Sequence, residues 1–201
     1  MATPITRCDV APWSLFGISL AGYNGLLSGA AALGPSRQPV ATGQPLPDGL
    51  TLSAASPRAQ RPGSVGFAII GLGDYALKQI MPRFAQSKRA HIAALVSGNP
   101  AKLREVGEAY GVQPEARYSY DSFAAIAANP AVEAVYIVLP TGLHAEWAER
   151  AFAAGKHVMC EKPMALSSAE CERMIAASQR ANRKLMIAYR CHFEPYNRAA
   201  M

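Results

Sequence analysis

The chain has 201 residues, of which 50% are hydrophobic, 17% charged and 8% aromatic. At about 100 to 200 residues per domain this is one domain with extensions, which excludes a multidomain machine, and the apolar share excludes disorder along the whole length. Twenty Lys and Arg against 14 Asp and Glu give a net charge of +6, a balance that suits a nucleic acid or a phosphorylated cofactor and selects neither by itself.

Residues 1–65 carry only six charged side chains but eight of the 15 prolines, while residues 66–201 hold the other 28 charges and every lysine. The division predicts a leader (1–34), a Pro-rich arm or linker (35–65) and a folded domain (66–201). No charge occurs from Ala11 to Ser36, and the apolar run from Trp13 leads to Ala30-Ala31-Ala32, an Ala-x-Ala cleavage pattern. The segment therefore resembles an export signal, with a poorly structured tail as the alternative. Asn24 and the many glycines weigh against a membrane span, which needs about 20 predominantly apolar residues. From Pro35 to Pro62 the prolines remove backbone donors and fix φ, so a linker or an extended arm is expected there.

From residue 66 the pattern alternates strand and helix. Gly66 to Ile70 reads as a buried strand, followed by a helix from Tyr75 to Gln86. His91 to Val96 is a second strand. Asn99 caps the helix Pro100 to Tyr110, with Pro100 in the first turn and Gly111 as the stop. Tyr118 opens a short third strand, and Asp121 is expected to cap a helix through Ala128. Ala134 to Leu139 is a fourth strand stopped by Pro140, and Gly142 to Ala153 is helical up to Gly155. Lys156 to Cys160 is a fifth strand, Ser167 caps a helix to Ala181, and Lys184 to Tyr189 is a sixth. A last helix starts after Pro195. Near-continuous apolar runs imply strands buried on both faces, and repeated strand-helix units imply a Rossmann-type, doubly wound parallel sheet of the α/β class.

The four cysteines, Cys8, Cys160, Cys171 and Cys191, show neither a C-x-x-C pair nor metal-ligand spacing. The last three fall in predicted strands and helices and are expected to be small buried residues; no metal site is expected. The basic residues are scattered and belong to no groove-reading motif, so nucleic acid is not an expected partner.

Gly71-Leu72-Gly73-Asp74-Tyr75-Ala76 lies at the turn from the first strand into the first helix, the context that lifts a G-x-G-x-x-G/A match above coincidence. Gly71 permits the tight turn, Gly73 lets the backbone approach a pyrophosphate, and Ala76 stands where a third glycine packs helix on strand. The helix start supplies donors and partial positive charge. NAD binders place Asp or Glu at the end of the second strand to accept from the ribose hydroxyls, but here the residues are Ser97, Gly98 and Asn99. With no carboxylate to repel it, a 2′-phosphate can enter, paired with Lys102 and Ser97, so NADP is the expected cofactor.

Two further motifs fall at strand ends: Leu139-Pro140-Thr141-Gly142-Leu143-His144 and Glu161-Lys162-Pro163. With Gly71-Leu72-Gly73, Gly155-Lys156-His157 and Tyr189-Arg190-Cys191-His192, they resemble the Gfo/Idh/MocA oxidoreductases, and in detail the branch that couples oxidation of one sugar to reduction of another. The match runs without gaps from Gly66 to Met201.

The resemblance implies an enzyme that holds NADP tightly, oxidises an aldose at C1 to the lactone and returns the hydride to a ketose or another sugar. Gly71, Gly73, Tyr75 and Ala76 would lie in the cofactor turn, with Ser97, Gly98 and Lys102 toward the 2′-phosphate. Leu139, Pro140 and His144 would line the ribose and nicotinamide side, with Glu161, Lys162, Tyr189 and Arg190 close by. Lys162 is the candidate catalytic residue: an ammonium near the reacting C1 hydroxyl steadies the developing alkoxide. His144 and His192 are expected to position rather than transfer protons, and His91 and His157 to be structural.

The resemblance also implies that the principal proton-transfer Tyr or His, with an Asp partner, belongs to a second α+β domain beyond residue 201. The expectation is a fragment with dinucleotide binding and little turnover, and a non-catalytic NADP-binding module or degenerate remnant is the alternative. The full-length protein is expected to be a homo-oligomer. The family suggests periplasmic residence, although Thr6-Arg7-Cys8-Asp9-Val10 carries one arginine of a twin-arginine signal; otherwise the protein would be cytoplasmic.

Overall fold

Short runs of Val, Ile, Leu and Ala without a polar face need cover on both sides, and this need sets the architecture. The computed structural model describes residues 14–15, 18–19, 63–84, 86–189, 191 and 195–200. Near the N-terminus β1 (Ser14–Leu15) and β2 (Ile18–Ser19) pair antiparallel. The rest of the expected leader and nearly all of the Pro-rich arm lie outside the described residues.

The domain is a six-stranded sheet of β3 (Val65–Ile70), β4 (Ala90–Val96), β5 (Arg117–Tyr118), β6 (Ala134–Ile137), β7 (His157–Cys160) and β8 (Leu185–Ile187). All pairings are parallel, in the order β5-β4-β3-β6-β7-β8. The chain thus winds outward from β3 in one direction and then from β6 in the other, the doubly wound order of a Rossmann-type fold.

Among the described residues, four helices pack on the sheet and a fifth, short and exposed, follows it. α1 begins as a π turn at Ala76–Ile80 and continues at Met81–Phe84; α2 is Pro100–Tyr110, α3 His144–Ala153, α4 Ser168–Ala181 and α5 Pro195–Ala200. Strand side chains alternate between the faces. Ile69, Leu95 and Tyr136 face α1 and α2, where Leu77, Met81 and Val106 meet them. Ile70, Val96, Val135 and Ile137 face the other way, onto Trp147 and Phe152 of α3 and Met174 of α4. Within that second core Trp147 packs against Phe123 and Tyr120, with ring centroids 5.2 and 5.1 Å away, and Arg150 covers the indole at 4.3 Å.

Turn chemistry fixes the helix ends as the residues predict. Asn99 Oδ1 accepts from the N–H groups of Ala101 and Lys102, Ser167 Oγ accepts from Glu170, and Gly111 at φ +67 ends α2.

Several local expectations change. The first helix stops at Phe84 rather than Gln86, because Ser87 and the following turn redirect the chain into β4, with Ser87 Oγ accepting from Ala90. Asp121 does not cap a helix. The segment Phe123–Ala128 is a 3-10 helix whose start is organised by Ser119 and Ser122, each hydroxyl accepting from the other residue's N–H. Residues Thr141–Leu143 form a 3-10 turn before α3. β8 is shorter than expected and sits at the sheet edge, so Met186 remains 40% exposed and this strand is not covered on both faces. Among the three cysteines expected to be buried only Cys160 is; Cys171 is half-buried and Cys191 exposed. Of the two histidines given structural roles above, His91 Nδ1 lies 2.9 Å from Ser64 Oγ and His157 Nδ1 accepts from the N–H of Lys184. No described helix is long and apolar enough to cross a membrane.

Candidate dinucleotide site

In an open parallel sheet, the strands on either side of the winding reversal send their following loops apart and leave a crevice at their carboxyl ends. Here that crevice lies between β3 and β6. The two glycines at its mouth differ in what holds them. Gly71 has φ +92, and a Cβ there would press on the Val138 carbonyl and come within 2.9 Å of Leu139 Cδ2. Its N–H donates to Val96 O at 3.1 Å. The fold itself therefore requires glycine at 71. At Gly73 a Cβ would meet no atom within 4 Å, so protein packing does not require glycine there. What Gly73 provides is a bare backbone edge facing open space, which fits the close approach of a pyrophosphate. Its carbonyl accepts from Leu77 N at 3.0 Å as the helix begins, and Ala76 is fully buried against the sheet. The π turn begins at Ala76, directly after this loop.

The turn after β4 forms the next wall. Ser97 is buried, and its Oγ accepts from Asn99 N at 3.2 Å, leaving its own O–H to donate. Gly98 is half-buried, and its backbone hydrogen-bonds the hydroxyl of Tyr120. Burial raises the Tyr120 pKa, and that hydrogen bond partly offsets the rise. Lys102 is 8% exposed, and its Nζ donates to Leu72 O at 3.1 Å. The turn thus holds a hydroxyl and an ammonium and no carboxylate, a donor set suited to a phosphate rather than to a bare ribose diol.

Across the crevice, Leu139 is half-buried and Pro140 exposed. His144 is 1% exposed, with Nδ1 2.9 Å from Pro163 O and Nε2 2.8 Å from Leu139 O. It stands behind the wall rather than on it, tying the loop after β6 to the loop after β7. Glu161 is buried at the end of β7. Its Oε1 accepts from the Tyr136 hydroxyl at 2.6 Å and its Oε2 from Lys162 N at 3.2 Å. Burial first, and then the Glu161 carboxylate and the nearby Tyr75 phenol, push the Tyr136 pKa upward, so this phenol stays protonated and donates. Lys162 is exposed beside this pair, before a cis bond to Pro163.

The structure therefore gathers Gly71, Gly73, Tyr75, Ala76, Ser97, Gly98, Lys102, Leu139, Pro140, His144, Glu161 and Lys162 at the carboxyl ends of neighbouring strands. Tyr189 follows β8 and is 49% exposed. Arg190 and His192 lie outside the described residues. Sequence reasoning missed Tyr120 and Tyr136. Tyr136 had a signal: a hydroxyl in the middle of an apolar strand needs a hydrogen-bonding partner. No group of three or more metal-ligating side chains occurs among the described residues.

A family model described as an oxidoreductase family with an NAD-binding Rossmann fold, GFO_IDH_MocA, matches residues 65–189. An aldose-aldose oxidoreductase from Caulobacter crescentus, solved with glycerol, is 54% identical with a TM-score of 0.67, over 68% of this chain and 41% of that one. The 3-ketoreductase KijD10 from Actinomadura kijaniata, solved with NADP, is 29% identical with a TM-score of 0.61, over 68% of this chain and 42% of that one. A D-xylose 1-dehydrogenase [NADP(+)] of Haloarcula marismortui is 38% identical over 68% of this chain and 38% of its own length. The matched segment thus spans about two fifths of the length of these relatives.

Proposed function

The chain belongs to the Gfo/Idh/MocA family of oxidoreductases with an NAD(P)-binding Rossmann fold, and from that premise we propose that it serves an NADP-dependent sugar oxidoreductase of the glucose-fructose oxidoreductase type. Its reaction would oxidise an aldose at C1 to the lactone and return the hydride to a ketose or another sugar. The observation that carries the choice of NADP is the Ser97-Gly98-Asn99 turn. It presents no carboxylate, its asparagine oxygen is engaged in capping α2, and the Lys102 ammonium lies between it and the glycine turn. The names of two relatives, one an NADP-dependent xylose dehydrogenase and one an aldose-aldose oxidoreductase, support the cofactor and the sugar class.

Gly71 and Gly73 would hold the pyrophosphate, Ser97 and Lys102 the 2′-phosphate, and the loops at Leu139 and Glu161 the nicotinamide half. Bound there, NADP supplies the hydride acceptor. The side chain that would meet the sugar is Lys162. Its ammonium lowers the pKa of the C1 hydroxyl and stabilises the oxygen as negative charge develops. Glu161, held by Tyr136, accepts from the Lys162 backbone and so orients the residue. His144 fixes the spacing of the two loops that carry these groups. Export through the leader belongs to the same proposal, supported by the charge-free stretch from Ala11 to Ser36, and homo-oligomeric assembly of the full-length protein belongs to it by resemblance to the family alone.

Calorimetric titration of the chain with NADP and NAD tests the cofactor assignment. Tighter binding of NADP is expected, by about 1.5–3 kcal/mol for charge-assisted contacts to the extra phosphate. Tighter binding of NAD, or binding of neither, overturns it.

A further inference from the structure

We infer that Lys102 positions the pyrophosphate donor of the glycine turn, a role separate from contact with a 2′-phosphate. The inference rests on the cofactor assignment above and goes beyond it. A lysine held only for an incoming phosphate would keep its ammonium in water. Lys102 is instead 8% exposed, with Nζ 3.1 Å from the carbonyl oxygen of Leu72, the residue between the two glycines.

The peptide unit explains what that contact does. The bond joining Leu72 to Gly73 is not among the cis bonds, so its C=O and N–H lie in one plane and point in opposite directions. Fixing the Leu72 oxygen on one side fixes the direction of the Gly73 N–H on the other, and Gly73 is the residue whose surroundings are open. A glycine turn has little intrinsic preference, so this peptide would otherwise be free to rotate. Each end of the strut is itself anchored. Lys102 N donates to Asn99 Oδ1 at 3.2 Å in the cap of α2, and the Leu72 side chain is 3% exposed in the core beneath the turn. A charge-assisted bond is about twice as strong as a neutral one, which suits a latch that must hold before any ligand arrives.

Pyrophosphate is common to NAD and NADP, whereas the 2′-phosphate is not, and this separates the two roles. The 201-residue chain is titrated calorimetrically with both dinucleotides, alongside the variants Lys102→Met, Lys102→Arg and Ser97→Ala, with urea unfolding of each. Lys102→Met is expected to weaken NAD roughly 3- to 10-fold, the effect of one hydrogen bond, and NADP by a larger factor. Lys102→Arg recovers part of the NAD loss, and Ser97→Ala weakens NADP alone. In the cofactor-free chain, the Gly73 amide resonance moves in Lys102→Met and stays in place in Ser97→Ala. If Lys102→Met does not fold, Lys102→Gln takes its place.

Unchanged NAD affinity with an unmoved Gly73 resonance overturns the latch and leaves the cofactor assignment standing. A wild-type chain that binds neither dinucleotide overturns the assignment and the latch together.

Discussion

The Tyr136 hydroxyl donates to Glu161 Oε1 over 2.6 Å, joining the middle of β6 to the carboxyl end of β7 where both side chains are buried. A buried carboxylate left short of a donor bears a desolvation cost of roughly 1–3 kcal/mol or more. Tyr136→Phe keeps the ring and removes the donor, so it should destabilise the chain by about 1–3 kcal/mol at neutral pH. The same substitution should change the alkaline limb. Because the folded-state pKa of Tyr136 is raised, its stabilisation is complete below the unfolded phenol value of about 10 and is lost as pH rises above it. Urea unfolding between pH 7 and 11 should show a shallower alkaline decline in Tyr136→Phe than in wild type. Some decline remains, because Tyr110, Tyr120 and Cys160 are shifted in the same direction. An identical slope in both proteins would remove the argument.

Gly71 and Gly73 should respond oppositely to alanine. At Gly71 the positive φ and the contact with the Val138 carbonyl both oppose a side chain. Gly71→Ala should therefore lose more than about 1 kcal/mol of stability. Gly73→Ala should unfold near the wild-type urea midpoint while its NADP affinity falls, since the added methyl occupies the space a pyrophosphate would use. A Gly73→Ala protein with full affinity would contradict that use of the space.

His144→Ala should cost about 2–4 kcal/mol, because the ring's hydrogen bonding to the loop carbonyls is lost and a buried ring is removed. The loosening should be local. Hydrogen exchange should quicken first in residues 139–143 and 162–164, the two loops that the ring ties together. Uniform protection in those loops would show that the ring is not their tie.

Thiol reactivity should divide Cys160 from Cys191. Burial, and then the neighbouring Glu161, push the Cys160 thiol up to about 12, and the thiolate is the reactive form. Iodoacetamide at pH 8 should label exposed Cys191 and leave Cys160 unmodified until the chain unfolds. Mass spectrometry of tryptic peptides reads the difference, and rapid labelling of Cys160 in folded protein would count against its burial.

Much of the site was legible because its motifs are short and local. Gly71-Leu72-Gly73 is read from three adjacent residues in a strand-to-helix turn, and the missing acid at Ser97-Gly98-Asn99 from three more. Asp121 misled for a local reason as well: Ser119 and Ser122 each accept from the other's N–H, and this turn leads into a 3-10 helix at Phe123–Ala128. Cys191 misled because it lies past the end of the last strand, β8, where it remains exposed.

By itself the amino-acid order determined the alternation of strand and helix, the caps at Asn99 and Ser167, and the glycine turn. Each depends on side-chain periodicity or on hydrogen bonds that span a few residues. Tertiary structure alone decided that Lys102 meets Leu72, 30 positions away, that Tyr136 meets Glu161, 25 away, and that His144 bridges Leu139 and Pro163. These contacts cross between strands and helices, and their distances depend on which strands lie side by side. No run of residues encodes that order, because it is set by burying two faces of one sheet at once.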